Sequence, residues 1–301
     1  MESTGNVVTN TCLHVLGVAL LGLATVSARA EETPGLAPKA QGDHLLLQDD
    51  FSGLKPGQFS SLVGAHTEYH YLPSSAPKGS WVVSSFTSRI GFQRAWKVFA
   101  VDGDATLAQI FDNVKTPHAH PMVVAGDPLW RDYTLTVRFV PESSHARSGI
   151  VFRYRNDRCY YFFGVDGSEA VLKFVQHGTA FRRPLEKLLA SAPFQWTAGT
   201  QLTAQVRLDG ANLEASFAGG PTLTARDTTY STGRIGLVAD VPTRFHQVTV
   251  TADATEGARV LAAVRARETE LRELQAAHPQ PVLWKRFNTE GVRRRPQLAF
   301  R

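Results

Sequence analysis

The chain has 301 residues, of which 43% are hydrophobic, so it is long enough and apolar enough to bury a substantial core. That composition excludes disorder as the default state of the whole chain. The formal net charge is only +5, and the cations are spread along the sequence rather than gathered in one arm, so nucleic acid is not an expected partner.

The first recognisable element is Cys12–Ala30, an apolar stretch that is too short to span a bilayer. It ends in the small-x-small pattern Ala-Arg-Ala, which predicts that residues 1–30 are a signal peptide and that the mature chain is secreted or periplasmic, without a membrane span. A buried apolar segment or a membrane anchor is the alternative, because Glu2 precedes this stretch and no Lys or Arg does. The true start codon is left open.

Signal cleavage would remove Cys12 and leave Cys159, which excludes an intramolecular disulfide. The fold would then depend on its hydrophobic core. Because Cys159 lies in a predicted strand, we interpret it as a small buried or half-buried residue rather than a nucleophile.

After a proline-containing linker at 31–42, residues 43–253 have an all-β pattern, with β-branched and aromatic segments separated by turn signals. In one segment Thr134, Thr136 and Arg138 alternate with apolar residues, as in a strand with one buried face. About eleven such strands predict an antiparallel two-sheet sandwich or jelly roll. The predicted strands are Leu45–Gln48, Trp81–Phe86, Lys97–Val101, Tyr133–Val140, Gly149–Arg155, Tyr160–Val165, Ala170–Val175, Leu202–Leu208, Leu213–Phe217, Arg234–Val238 and Phe245–Thr251.

The periodicity becomes helical from Glu256 to Ala277, and prolines follow this stretch. Its apolar residues lie on one face: Val260, Val264, Leu271 and Leu274. Because that face is narrow, we predict a helical spacer over 254–278 that the sandwich does not need for folding.

Five short motifs are shared with a known fold family. They are Asp49-Asp50-Phe51, the AGDP of 125–128, the WRDY of 130–133, the SGIVFRY of 148–154 and the YYFF of 160–163. With these motifs, residues 49–251 resemble the concanavalin-like, laminin-G-like jelly rolls of secreted bacterial carbohydrate-active proteins. That scaffold carries binding modules, hydrolases and lyases alike, so the resemblance implies a fold rather than an activity.

Residues 281–291, PVLWKRFNTEG, are similar to the start of the β-propeller of bacterial rhamnogalacturonan lyases. In such proteins the propeller carries the calcium-dependent chemistry. The resemblance implies that 279–301 is the truncated start of a propeller-like module and that its catalytic machinery lies outside this chain. The resemblance breaks off after Gly291, which we interpret as a frameshifted reading, with a short basic tail as the alternative.

A jelly-roll glycosidase needs two carboxylates roughly 5 to 9.5 Å apart across a cleft, which on a strand means acids at alternate positions. The predicted strands lack that pattern, and Asp102, Asp104, Asp166 and Asp209 fall in glycine-containing turns, where a carboxylate caps backbone groups. We therefore predict that this chain is not itself an enzyme. An acid from a loop, such as Glu68 or Glu142, keeps a hydrolase or lyase open as the alternative.

Two histidine pairs, His66 with His70 and His118 with His120, have spacings that could place two imidazoles on a metal ion. No third ligand lies beside either pair, so we interpret them as surface loop histidines. No cofactor is predicted, and a structural calcium is left open.

The binding prediction comes from strand parity. An even number of residues in the loop between Arg155 and Cys159 would turn one set of side chains toward the core: Ile150, Phe152, Tyr154, Tyr161, Phe163, Leu172 and Phe174. The opposite, solvent-facing set would be Arg153, Arg155, Tyr160, Phe162 and Lys173.

Aromatic rings pack against the C–H faces of sugars, and arginine binds carboxylates through two parallel hydrogen bonds. The predicted solvent-facing set therefore indicates non-catalytic binding of a polysaccharide, with an acidic, pectin-type polymer as the candidate, by a monomeric module. One alternative is that a crossing loop or the helix covers this face. A laminin-G-like protein-interaction module is the other.

Overall fold

A computed structural model of the chain describes residues 44–59, 79–84, 94–101, 104–113, 120–178 and 184–277. The predicted signal peptide, linker and propeller-like tail lie outside these ranges. So do Glu68, Asp102 and three of the four paired histidines: His66, His70 and His118.

Sixteen strands and one helix occupy the described ranges, and every strand pair is antiparallel. The strands are β1 (His44–Asp49), β2 (Gly57–Gln58), β3 (Val82–Ser84), β4 (Trp96–Val101), β5 (Asp104–Gln109), β6 (Met122–Ala125), β7 (Thr134–Pro141), β8 (Ser148–Asn156), β9 (Cys159–Asp166), β10 (Glu169–Gln176), β11 (Leu185–Pro193), β12 (Leu202–Asp209), β13 (Asn212–Phe217), β14 (Thr222–Arg226), β15 (Arg234–Ala239) and β16 (Thr243–Ala252). Helix α1 spans Ala254–Ala277. The predicted two-sheet antiparallel sandwich with a C-terminal helix is confirmed.

One sheet has nine strands in the order β14-β13-β12-β7-β16-β5-β4-β2, with β1 pairing to β16 as well. The alternation predicted for its strand β7 is confirmed: Leu135, Val137 and Phe139 are buried, whereas Thr136 and Arg138 are not. This sheet therefore buries one face and presents polar side chains on the other.

The second sheet has seven strands in the order β11-β10-β9-β8-β15-β6-β3. Unlike the first sheet, it buries side chains on both faces. Ile150 and Phe163 belong to the core between the sheets, whereas Val151 and Phe162, the next residues along their strands, belong to a separate apolar cluster. We call the face that carries this separate cluster the outer face.

A β-bulge in β8 reverses the predicted parity. The pairing of β8 with β9 shifts register between Phe152 and Asn156, and Arg153 has a φ of 46°, in the left-handed region that side chains rarely adopt. As a result Phe152 lies in the core between the sheets, but Tyr154, which parity places there too, lies in the outer cluster.

Gly149 and Gly164 face each other across β8 and β9. A Cβ on Gly149 would lie 2.3 Å from a backbone oxygen of β9, and a Cβ on Gly164 would lie 2.6 Å from the Phe162 ring. The two glycines therefore let the strands approach closely and leave space for the Phe162 ring.

Helix α1 packs on the sandwich through its first turns. Asp253 Oδ1 accepts a hydrogen bond from Glu256 N at 2.7 Å, which caps the helix, and Glu256 and Val260 are buried. Farther along, Leu271 and Leu274 are about half exposed, so the predicted apolar face is only partly covered. None of the described helices has both the length and the apolarity needed to cross a bilayer.

Candidate functional site

Four ionisable side chains from four parts of the seven-stranded sheet converge on its outer face. His120 lies two residues before β6, Arg147 directly before β8, Asp240 directly after β15, and Glu186 near the start of β11. Asp240 N donates to Arg147 O at 2.9 Å, which extends the pairing of β15 with β8 and aligns the two side chains. We call these four residues the charged cluster.

Direct ion pairs connect the charged cluster. His120 Nδ1 lies 2.8 Å from Asp240 Oδ2, and His120 Nε2 lies 3.5 Å from Glu186 Oε1. Arg147 Nη2 donates to Glu186 Oε2 at 2.9 Å, and Arg147 Nε lies 3.3 Å from Asp240 Oδ2. Asn113 Nδ2 adds a hydrogen bond to Asp240 Oδ1 at 2.9 Å. The side chains of His120, Arg147 and Asp240 are almost wholly buried, whereas that of Glu186 is 24% exposed.

These contacts set the charge states of the cluster. Burial and Arg147 oppose protonation of His120, but Asp240 and Glu186 outweigh them and raise the pKa of its imidazole. Burial alone would raise the pKa values of the two carboxyl groups, yet pairing with His120 and Arg147 lowers both below their ordinary values. With His120 protonated, two cations balance two carboxylates.

Aromatic residues underlie the cluster. The Arg147 guanidinium carbon lies 5.5 Å from the centre of the Phe162 ring, a cation–π distance. Burial raises the pKa of the nearby Tyr160 phenol, which therefore stays protonated. Arg147 Nη1 is buried and has no hydrogen-bond partner in the described part of the chain.

Lys173 provides the accessible edge of the site. Its Nζ donates to Asp166 Oδ2 at 2.8 Å and lies 3.7 Å from Glu186 Oε2. These three side chains are partly exposed, so we call Asp166, Lys173 and Glu186 the cluster edge.

The structure groups three of the five predicted binding residues. Tyr160, Phe162 and Lys173 share the outer face, as predicted. The exposure expected of the two aromatic rings is wrong: Tyr160 is 1% and Phe162 0% exposed, because this face carries its own apolar cluster. In the described part of the chain these two rings therefore do not form an open aromatic platform.

The two predicted arginines are elsewhere. Arg153, expected on the solvent face, is completely buried, because the bulge turns it toward the backbone carbonyls of Gly210 and Tyr230, to which it donates at 2.6 and 3.0 Å. Arg155 is exposed, and its guanidinium carbon lies 5.5 Å from the centre of the Tyr230 ring. Tyr230 packs against the core between the two sheets, on the face opposite to the outer face. The role in binding that we predicted for these residues stays a prediction.

Sequence reasoning missed the charged cluster. His120, interpreted as a surface loop histidine, is buried and ion-paired, which corrects that interpretation. Arg147 directly precedes one apolar strand and Asp240 directly follows another. A charged residue at the end of an apolar strand was the one feature of the sequence that could have indicated this cluster. Cys159 is half-buried, as predicted. Glu142, the alternative catalytic acid, instead pairs with Arg244 at 2.5 Å on the surface.

Within the described ranges, no three His, Cys, Asp or Glu side chains are grouped in a way that could hold a metal ion. The charged cluster itself is held together by hydrogen bonds and ion pairs. Its buried pairs fix the orientation of Arg147, and the cluster edge faces solvent in part.

No protein-family model matches the sequence, and no curated protein matches it significantly. Among solved structures, the carbohydrate-binding module CBM66 from Bacillus subtilis is 12% identical, with a TM-score of 0.44, over 57% of this chain and 96% of that chain. Domain 4 of AbnA, a GH43 extracellular arabinanase from Geobacillus stearothermophilus, is 8% identical, with a TM-score of 0.42, over 72% and 98%. LamAcat from Zobellia galactanivorans is 11% identical, with a TM-score of 0.41, over 69% and 97%. At these scores the likenesses assign neither ligand nor activity.

Proposed function

We propose that this chain binds carbohydrate without cleaving it, and that sugar residues dock at the cluster edge. One observation carries this proposal: Arg147 Nη1 is a buried donor for which the described residues offer no hydrogen-bond partner, and it lies beside the partly exposed Glu186 and the cluster edge. A buried donor that stays unpaired costs about 1–3 kcal/mol, and a ligand hydroxyl would satisfy it.

The charged cluster is not explained by a contribution to folding stability alone. Burying ion pairs carries a desolvation penalty that often equals the Coulombic gain, so apolar residues of similar volume would serve folding as well. Ionisable groups with shifted pKa values that are gathered at one place are more typical of binding and catalytic sites.

Sugar hydroxyls both donate and accept hydrogen bonds, and the cluster edge offers both functions. Glu186 accepts, whereas Lys173 and Arg147 donate. With Asp166 and Asp240 included and His120 protonated, three cations face three carboxylates. That balance favours a neutral sugar at this site.

The protonation states favour binding over cleavage. A glycosidase of the two-carboxylate type needs one acid whose pKa is raised enough to donate a proton near neutral pH. Glu186 and Asp240 have lowered pKa values, so both stay ionised. Residues 12–30 have the pattern of a signal peptide, so we place the ligand outside the cytoplasm, where binding would hold polymer close to other enzymes.

The test is binding of the full chain to neutral polysaccharides by affinity electrophoresis and calorimetry. Glu186→Gln and Lys173→Ala should each weaken binding about tenfold, the effect of losing one hydrogen bond to a charged group. Glu214→Gln, an exposed residue on β13 of the other sheet, is the matched control and should bind like the parent. The proposal fails if the parent binds no polysaccharide, if Glu214→Gln weakens binding equally, or if reducing ends are released.

A further inference from the structure

His120 joins the buried part of the charged cluster to its exposed part. Its Nδ1 lies 2.8 Å from Asp240 Oδ2, and its Nε2 lies 3.5 Å from Glu186 Oε1. Because the imidazole ring is rigid, the bond from Nδ1 to Asp240 aims Nε2 at Glu186. Nε2 is buried, and no described residue forms a short hydrogen bond with it. The contact with Glu186 is therefore an attraction between opposite charges.

This attraction depends on one proton. A protonated imidazole has an N–H on both ring nitrogens, whereas a neutral imidazole has one N–H and a lone pair on the other nitrogen. A neutral His120 would keep the Nδ1–H, because Asp240 lies closer to Nδ1 than Glu186 lies to Nε2. Nε2 would then present its lone pair to the Glu186 carboxylate. The attraction would become a repulsion.

The other described groups around this contact come from several elements. Arg147 pairs with both carboxylates, which outweigh burial and raise its pKa further. Burial raises the pKa of the Tyr160 phenol on β9, so it stays neutral. Asn113 binds the buried carboxylate, and Lys173 faces the exposed one from β10 at 3.7 Å. Histidine is the side chain of this set that ordinarily titrates nearest to neutral pH. Burial and Arg147 oppose protonation of His120, but the two carboxylates outweigh them and raise its pKa.

We propose that His120 is a positioning residue for the sugar site: its charged imidazole holds Glu186 at the cluster edge, and loss of the Nε2 proton weakens sugar binding. Glu186 is the acceptor that the proposed function assigns to a sugar hydroxyl, so this inference rests on that function. Arg147 Nη2 still binds the Glu186 carboxylate at 2.9 and 3.2 Å when His120 is neutral. The repulsion therefore turns Oε1 away without releasing the side chain, and the ligand has to order it again. Binding should weaken rather than disappear as the pH rises.

Two substitutions that make the same charge change separate positioning from folding. Asparagine places its amide nitrogen close to the position of Nδ1, so His120→Asn keeps a donor for Asp240 and loses the donor that faces Glu186. Glutamine places its amide nitrogen close to the position of Nε2, so His120→Gln keeps the donor that faces Glu186. At neutral pH, His120→Asn should weaken polysaccharide binding about tenfold, whereas His120→Gln should stay within about twofold of the parent.

The ligands are the neutral polysaccharides dextran, laminarin and linear arabinan. Affinity electrophoresis and calorimetry measure their binding to the full-length chains from about pH 6 to about pH 9.5. The parent should bind about tenfold more weakly at the upper end of this range, whereas the affinity of His120→Gln should stay constant, because an amide does not titrate. Lys173 is present in both chains, so a change in its charge would appear in both profiles. A melting curve at each pH restricts the comparison to folded protein.

NMR of the unliganded chain tests the positioning without any sugar. The contacts of Glu186 with His120 and Arg147 outweigh burial and lower its pKa, so its carboxyl group stays ionised over this pH range. The carbon resonance of the Glu186 carboxylate should nevertheless move together with the titration of the His120 imidazole. In His120→Gln the same resonance should stay fixed.

Equal losses of affinity in the two variants would make His120 a structural residue and overturn the proposal. Parent-like binding by both variants, or a parent affinity that stays flat to about pH 9.5, would overturn it too. If none of the polysaccharides binds the parent, the proposed function fails and the NMR measurement alone decides the positioning. A Glu186 resonance that moves with the imidazole supports the positioning, and one that stays fixed overturns it.

Discussion

Replacing Glu256 by alanine should undock the first turn of α1. The Glu256 side chain is buried at the junction of the helix with the segment before β7, and the residue is only 3% exposed. Its Oε1 accepts a hydrogen bond from Arg131 N at 3.1 Å, and its carboxylate pairs with Arg259 at 2.5 and 2.6 Å. Alanine would leave a backbone amide and a guanidinium without this partner.

The expected loss follows from those contacts. A hydrogen bond to a charged group contributes about 1.5–3 kcal/mol, and the half-exposed pair with Arg259 adds at most about 1 kcal/mol. Glu256→Ala should therefore lower the free energy of unfolding by about 2–4 kcal/mol. For a domain of this size that corresponds to a fall in Tm of about 5–15 °C.

The loss should also depend on pH. Burial opposes ionisation of Glu256, but Arg259 and the backbone amides outweigh it and lower its pKa below the ordinary 4.5. A carboxylate with a lowered pKa stabilises the fold above its unfolded pKa and loses that effect as pH falls through its folded pKa. The difference in stability between parent and variant should therefore be constant from pH 5 to 7 and shrink toward pH 3.

Scanning calorimetry of the full chain across this pH range measures both effects. Glu268→Ala is the control, because Glu268 is an exposed residue of the same helix. Its Tm should stay near that of the parent, since exposed substitutions usually change stability by no more than about 0.5 kcal/mol. Equal shifts for the two variants, or a pH-independent deficit for Glu256→Ala, would refute the docking of the helix by its first turn.

Three further outcomes are expected. Gly149→Ala should destabilise the chain by about 1–3 kcal/mol or more, because the new Cβ would lie too close to a backbone oxygen of β9. Gly53→Ala is the control and should leave stability unchanged, because Gly53 has open space around it. Urea denaturation measures both variants. Asp240→Asn should lower the His120 pKa, followed by NMR titration of the imidazole, because Asp240 binds its Nδ1. A chain ending at Asp253 should keep one cooperative melting transition at a lower temperature, since both sheets remain complete.

Each of these outcomes has a result that contradicts it. Equal stability of the two glycine variants would mean that the strands do not approach closely. Because the pKa of His120 is raised in the folded state, His120 adds stability that is complete below pH 6.5 and is lost as the pH rises through its folded pKa. The Asp240→Asn variant should lose that pH dependence of stability. An unchanged profile of stability against pH would argue against the ion pair. Loss of cooperative melting at Asp253, but not in a chain ending at Ala277, would make the helix part of the sandwich.

The alternation of apolar and polar residues was enough to predict the fold class. Each of the eleven predicted strands overlaps a strand of the structure, and the predicted helix coincides with α1 to within two residues. Five strands were missed, and β11 shows why: Leu185–Pro193 is rich in Leu, Ala, Glu and Lys, which favour helices. This segment forms a strand because it pairs with the edge strand β10. The local sequence of β11 contains no information about that pairing.

The binding face shows the same limit. Parity correctly placed Tyr160, Phe162 and Lys173 together, because a period of two holds within an unbroken strand. It failed for Arg153, since a non-glycine residue at positive φ leaves no signal in composition or spacing. One bulged residue then reversed every side chain after it in β8.

What the sequence by itself determined is therefore the class of fold, the sheet faces of individual strands and the end helix. The charged cluster was decided by tertiary structure. Its four residues lie in or beside separate strands, which only the order of the seven-stranded sheet brings together: His120, Arg147, Glu186 and Asp240. The tertiary structure also decided which side chains are exposed to solvent. Hydrophobic periodicity reports which side chains share a face, but whether that face is covered depends on what packs against it from elsewhere in the chain.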